Sequence, residues 1–165
     1  MAVVTTYSTE ATNHKSVDNT KNPTTATEGT LKCSSATVAI AAADDDASIF
    51  PMLPVHSGWS IKHIWVYNDA LTSGTDFNIG LYTTAATPVD VDENCYADAI
   101  DLSSARTAVP LECAYEIRNI TGVNNKVWQD AGLTADSNRW YWLTLTSVTI
   151  GSAAGDVTFI IEYTE

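Results

Sequence analysis

From Gly58 to Thr84 the chain alternates between apolar and polar positions with a period of two, in two separate runs. The first, 59–67, carries Trp59, Ile61, His63, Trp65 and Tyr67 on one side, with Ser60 and Lys62 opening the other. The second, 77–83, sets Phe77, Ile79 and Leu81 against Asn78, Gly80 and Tyr82. A two-residue period is that of a pleated strand with one face buried. Asn68-Asp69 and Ser73-Gly74, between the runs, suit turns. The same pattern continues on either side. Leu31 to Ala41 reads as a strand through Leu31, Cys33, Val38 and Ile40, and Ile49 to Val55 as an irregular or edge strand because Pro51 and Pro54 cannot donate to a ladder. Arg139 to Thr149 and Asp156 to Tyr163 read as strong strands, the last with Val157, Phe159, Ile161 and Tyr163 on one face. Residues 85–125 are mixed: a loop with Pro88, an Ala/Asp stretch at 97–102 and a strand or short helix at 111–118. Asn125 to Gly132 reads as one or two helical turns, capped by Asn125 and ended by Gly132.

Roughly six to eight short strands with little helix predict an all-β fold, an antiparallel β-sandwich or jelly roll with one short helix. Residues 1–30 are different. They are rich in Thr, Asn and Ser and nearly empty of large apolar side chains after Tyr7, so alone they cannot offset the entropy of ordering them. They are expected to form an extended N-terminal arm with a reach on the order of 100 Å, leaving 31–165 as the sandwich domain.

Charge narrows the partners. The net charge of −12 includes runs at Asp44–Asp46 and at Asp90, Asp92 and Glu93. Such a field repels nucleic-acid phosphates and anionic lipid, so neither nucleic acid nor membrane is an expected partner. No apolar run approaches the roughly 18 residues of a membrane span, and the start of the chain lacks the basic and apolar regions of a signal peptide. Cys33, Cys95 and Cys113 form no CxxC pair and read as small buried residues of a chain made in a reducing cytoplasm, a Cys95–Cys113 bridge being the alternative.

Candidate chemistry is sparse. His14, His56 and His63 stand at no metal-ligand spacing. Asp90, Asp92 and Asn94 resemble the opening of a calcium loop, but Cys95 stands where the sharp turn requires Gly and Asp101 where a bidentate Glu belongs. Solvated loop carboxylates are the simpler reading. Glu112 and Glu116 would share a face on a helix, a pairing that arises often by chance. No nucleophile, base and orienting group can be named together, so the chain reads as a binding or structural protein, not an enzyme, and no cofactor is expected. The aromatics carry more information. Trp140, Tyr141 and Trp142 are consecutive and must point to both faces of their strand, while Trp59 and Trp65 share another face. A sheet with one face in water does not place bulky aromatics on both sides, which leaves burial between layers, a subunit interface or a sugar-stacking platform.

The order GWSIKHIWVYNDALTSGTDFNIGLYTT, VDENCYADAIDLSSA, NNKVWQDAGL and a closing GDVTFIIEYTE resembles small tailed-phage capsid decoration, or cement, proteins, over about residues 58–165. The resemblance implies a jelly-roll or sandwich body, frequently trimeric. It also implies a virion structural role on the capsid exterior: synthesis in the host cytoplasm, then binding to the major capsid protein and stabilisation of the shell. On that reading the arm (Val3, Val4, Tyr7) and the irregular strand (Ile49, Phe50) contact the capsid. An aromatic face drawn from Trp59, Trp65, Trp140 and Trp142 closes a homotrimer. The alternative is a glycan-binding tail or fibre module that uses exposed Trp residues.

Overall fold

The computed structural model describes residues 30–165; Val3, Val4 and Tyr7, with the extended arm expected at 1–30, fall outside the described residues but for residue 30. Among the described residues eight strands, β1 (Lys32–Ile40), β2 (Ile49–His56), β3 (Ser60–Asn68), β4 (Asp76–Thr83), β5 (Asp90–Asp101), β6 (Arg106–Glu112), β7 (Trp140–Thr149) and β8 (Gly155–Thr164), form two antiparallel four-stranded sheets. Their orders are β1-β8-β3-β6 and β2-β7-β4-β5, the interleaved connectivity of an eight-stranded jelly roll. A 3₁₀ turn, Ile120–Gly122, and one helical turn, α1 (Val127–Asp130), lie between β6 and β7. The all-β sandwich with one short helix is what the sequence pattern predicts.

The core lies between the sheets. From β8 it takes Val157, Phe159 and Ile161, from β7 Leu143 and Leu145, and from β4 Phe77, Ile79 and Leu81, all without solvent exposure. Each such side chain contributes roughly 1.5–3 kcal/mol by leaving water. β2 is an edge strand, as Pro51 and Pro54 require, and its register slips between Pro51 and Leu53. That slip turns Met52 and Leu53, successive residues, both inward.

Four local expectations are corrected by the structure. In β3 the pairing with β8 slips between Ile61 and His63, so that Ile61, Ile64 and Val66 face the core and His63, Trp65 and Tyr67 do not. Strict alternation would have kept the aromatics on the face of Ile61. Lys62 is the inserted residue, and its ammonium donates to the Val123 carbonyl and to Asn124 Oδ1, each at 2.9 Å. Second, β4 is buried on both faces, since Asn78, Gly80 and Tyr82 are covered as well as Phe77, Ile79 and Leu81. Third, 90–101 is a strand where the sequence suggested a loop. It is the outer strand of its sheet, and its Asp, Asn and Ala residues are poor strand formers held by pairing with β4. Fourth, Cys33 is exposed on the outer side of β1, while Cys95 is half-buried, Cys113 buried, and all three are free thiols. Burial pushes the Cys113 thiol up to about 12 and that of Cys95 well above its ordinary value.

The short helix falls where the sequence places it, with its N-cap one residue later than expected. Lys126, not Asn125, caps it, with its N–H donating to Gln129 Oε1 at 2.8 Å. Gly132 follows at φ +67, the left-handed conformation that ends helices. The first N–H groups of α1 are satisfied by the sandwich: Val127 N–H donates to Trp59 O (2.8 Å) and Trp128 N–H to Ser57 O (3.1 Å). The helix thereby seals one end of the barrel-like core, and Val127 is fully buried there.

Candidate interaction surfaces

Two aromatic surfaces stand out, built from different strands. The first closes the end of the sandwich where β2, β7 and β8 meet the β2–β3 turn. Trp59 stacks on Tyr163 with centroids 4.2 Å apart and planes at 15°. Trp140 meets Trp59 edge-on at 5.2 Å and 81°, and His56 edge-on at 5.2 Å and 77°. These offset and edge-to-face arrangements are the favoured ones for aromatic quadrupoles. Trp59 is thus wedged, while Trp140 remains 48% exposed. Trp142, two residues on, is half-buried opposite Pro54 and Tyr82.

A polar frame positions this corner. Asp136 Oδ1 accepts from Ser57 Oγ (2.6 Å) and from the Asn138 N–H (2.9 Å), while Ser57 Oγ in turn accepts from the Arg139 N–H (3.1 Å). These hydrogen bonds hold the Asp136 carboxyl below the usual carboxylate range. Asn138 sits at φ +49, a left-handed conformation that Asn tolerates better than most residues. In front of Trp140 lies a cleft of about 810 Å³ bordered by Thr83, Thr84, Val91, Leu133, Asn138 and Arg139.

The second surface is the outer face of the β1-β8-β3-β6 sheet. The β3 slip presents His63 and Trp65 here, stacked at 5.0 Å and 18°, with Tyr115 edge-on to His63 at 6.1 Å and 70°. Beside them Leu31, Tyr115, Ile120 and Val123 line an almost wholly apolar groove of about 450 Å³, with Lys62 and Glu162 among its other walls. Ile120 is 82% and Leu31 56% exposed. The outer side of this sheet thus carries a concentration of exposed apolar side chains.

Between the two surfaces a buried ionic cluster fastens the 113–131 segment to the sandwich. Arg118 donates through Nε to Ala114 O (3.1 Å), through Nη2 to Ile61 O (2.8 Å) and through Nη1 to Asp130 Oδ2 (3.2 Å). Its guanidinium lies 4.8 Å from the Tyr115 ring centroid and 5.3 Å from that of Tyr96. Tyr96 Oη donates to Asp130 Oδ2 at 3.0 Å. Burial holds the Asp130 carboxyl above its ordinary range despite the pull of Arg118, and drives the Tyr96 phenol well above its own.

Of the residues singled out from sequence, Trp59 and Trp140 come together, Trp65 lies on the other sheet, and Trp142 stands apart from both. Ile49 is 40% exposed at the start of β2, and Phe50 packs edge-on against Phe77 at 6.3 Å. Asp90, Asp92 and Asn94 are spread along β5, where Asn94 Nδ2 donates to Asp98 Oδ1 at 3.2 Å. Among the described residues no three His, Cys, Asp or Glu side chains are grouped to hold a metal ion. Glu112 accepts from the N–H groups of Ile64 (3.3 Å) and Ala114 (3.0 Å), and Glu116 from that of Asp98 (2.9 Å). Both carboxylates are occupied in capping backbone, and the two share no helix. Arg118, Tyr96 and Asp130 had no signal in sequence, since nothing in their spacing distinguishes a buried ion pair from three solvated side chains.

No protein-family model matches the chain, and no curated protein matches it. Solved structures do. A chain of the cyanophage Pam1 capsid asymmetric unit superposes with a TM-score of 0.55 at 14% identity, covering 82% of this chain and 85% of its own. A chain of the capsid of Ralstonia phage GP4 superposes with a TM-score of 0.58 at 9% identity, covering 83% of this chain and 85% of its own. At these identities the likeness is one of fold, and the fold shared is the jelly-roll sandwich described above.

Proposed function

We propose that this chain is a virion structural protein of a tailed phage, a decoration protein that binds the capsid exterior through the major capsid protein and stabilises the shell. One observation carries the reading: more than four fifths of this chain superposes on chains from two phage capsids. Repetition by lattice symmetry lets modest contacts sum to tight attachment, so no deep pocket is needed. The acidic surface suits a soluble component that docks on a basic or neutral partner, and the role requires no catalysis.

The arm and β2 are the capsid contacts in this reading. Deletion of residues 1–30 is expected to abolish co-sedimentation with capsids stripped of the protein, while leaving the melting temperature within about 2 °C of the full chain, because among the described residues the core between the sheets is continuous from Ile40 to Tyr163. Retained co-sedimentation would remove the arm from the attachment. A chain missing from purified virions by mass spectrometry would remove the proposal itself.

Self-association is assigned to the outer face bearing Trp65, Tyr115 and the Leu31–Ile120–Val123 groove. Light scattering on the purified chain is expected to give the mass of a trimer. Ile120→Asp, which places a charge on a side chain 82% exposed in the single chain, is expected to yield folded monomers. Burying an unpaired carboxylate at each of the symmetric seams costs several kcal/mol. A trimer unaffected by this change moves the seam elsewhere.

A further inference from the structure

We infer that the cleft in front of Trp140 is a saccharide-binding site. The inference does not rest on the capsid reading. A sugar ring is recognised by two features together: an aromatic face for its C–H surface, and planar polar groups with fixed geometry for its hydroxyls. Both are present. Trp140 keeps 48% of its surface in solvent while Trp59 and His56 brace it edge-on, each at 5.2 Å, so its orientation is set before any ligand arrives. Rigid presentation lowers the ordering cost of binding.

The polar side of the cleft is equally fixed. Asn138 and Arg139 are consecutive, and their backbone N–H groups are tied into the Ser57–Asp136 frame at 2.9 Å and 3.1 Å. Arg139 forms no ion pair among the described residues, so its guanidinium is available to hydroxyl oxygens. Thr83, paired with Tyr141, and Thr84, whose Oγ1 donates to Trp140 O at 3.5 Å, add hydroxyls from the neighbouring strand end, and Val91 and Leu133 add apolar lining. At about 810 Å³ the cleft is of the size that holds one or two sugar rings. The net charge of −12 sets a nucleic-acid base aside as the stacked ligand, because its phosphates would meet a repulsive field. It also favours neutral over acidic sugars.

An array of neutral mono- and oligosaccharides identifies a binding sugar. That sugar is then titrated into protein labelled with 5-fluorotryptophan, the Trp140 resonance being assigned through Trp140→Phe. Saturable movement of the Trp140 signal is expected, with a dissociation constant near the millimolar range usual for one aromatic platform. Trp140→Ala and Arg139→Ala are each expected to weaken binding about tenfold or more. Arg139→Ala serves as the second variant because it leaves the Trp59–Trp140–His56 packing in place, and its melting temperature is expected to be unchanged. An array without signal, movement confined to a tryptophan other than Trp140, or full affinity in both alanine variants would each overturn the assignment.

Discussion

Arg118→Ala is expected to lower stability by about 3–5 kcal/mol, a fall of roughly 10–15 °C in melting temperature for a domain of this size. The side chain of Arg118 is only 4% exposed and that of Asp130 only 1%. Truncation removes donors from the Ala114 and Ile61 carbonyls and leaves the Asp130 carboxylate without its counter-charge in a buried setting. The loss has a pH signature whose sign follows from the direction of the Asp130 shift. Burial already holds that carboxyl above its usual range, and removal of the guanidinium raises it further. A group with a raised folded pKa binds its proton more tightly in the folded state, so its contribution falls as pH climbs from the unfolded value near 4 up to the folded one. The deficit of Arg118→Ala relative to the parent is therefore smallest near pH 4 and grows as pH rises through the two raised folded values. Chemical denaturation at several pH values reads this directly. Replacing both partners, Arg118→Met with Asp130→Leu, is expected to recover at least half of the loss, since apolar groups of similar size carry no desolvation penalty. A deficit below about 1 kcal/mol, or one independent of pH, would show that the pair does not fasten the 113–131 segment.

How much of this could be read from sequence depends on which faces each strand has to cover. β8 was legible in full: its alternation is uninterrupted, and Val157, Phe159, Ile161 and Tyr163 all point inward. β2 was legible through its prolines, which a central strand would not accept. β3 was legible as a strand but not in its facing, because a one-residue slip at Lys62 exchanges inside for outside and leaves only a faint trace in the pattern. β5 escaped altogether, and of β6 only the last two residues fall in the strand or helix expected at 111–118. They lie at the outer edges of their sheets, where pairing to one neighbour suffices and side-chain composition is weakly constrained. The sites divide in the same way. The surplus aromatics left burial between layers, an interface and a sugar platform open, and strand order decided which of them meet: β7 and the β2–β3 turn converge, so Trp59 and Trp140 touch with Trp140 48% exposed, while Trp65 is carried to the opposite sheet. The polar frame behind Trp140 joins Ser57 to Asp136, 79 residues later, and a separation of that length carries no local signature.

Gly80→Ala is expected to cost about 3 kcal/mol or more, although it adds a single methyl group. Gly80 lies in β4 opposite Thr144 of β7, and on its other edge the β4–β5 register jumps from Leu81↔Asp92 to Ile79↔Ala97. The residues between, 93–96, form a wide bulge opposite Gly80 alone. That bulge carries Tyr96 into the core, where it has no solvent exposure, and it brings the β5 backbone down onto β4. A Cβ on residue 80 would fall inside van der Waals contact with the Asp92 carbonyl oxygen and the Glu93 carbonyl group. These are main-chain atoms of a paired strand and cannot rotate aside, so β5 has to lift. Lifting it withdraws Tyr96 from Asp130 and loosens the cluster around Arg118, which is why the expected loss exceeds that of ordinary overpacking. Gly74→Ala is the matching control: its φ of +82 strains any side chain, but nothing lies within 4 Å of the added carbon, so about 1 kcal/mol is expected there. Hydrogen exchange should show protection lost first at Asp92 and Ala97 in β5, with β3 and β8 still protected. Equal costs for the two substitutions would mean that β5 does not bear on Gly80, and that the bulge is held by its own side chains instead.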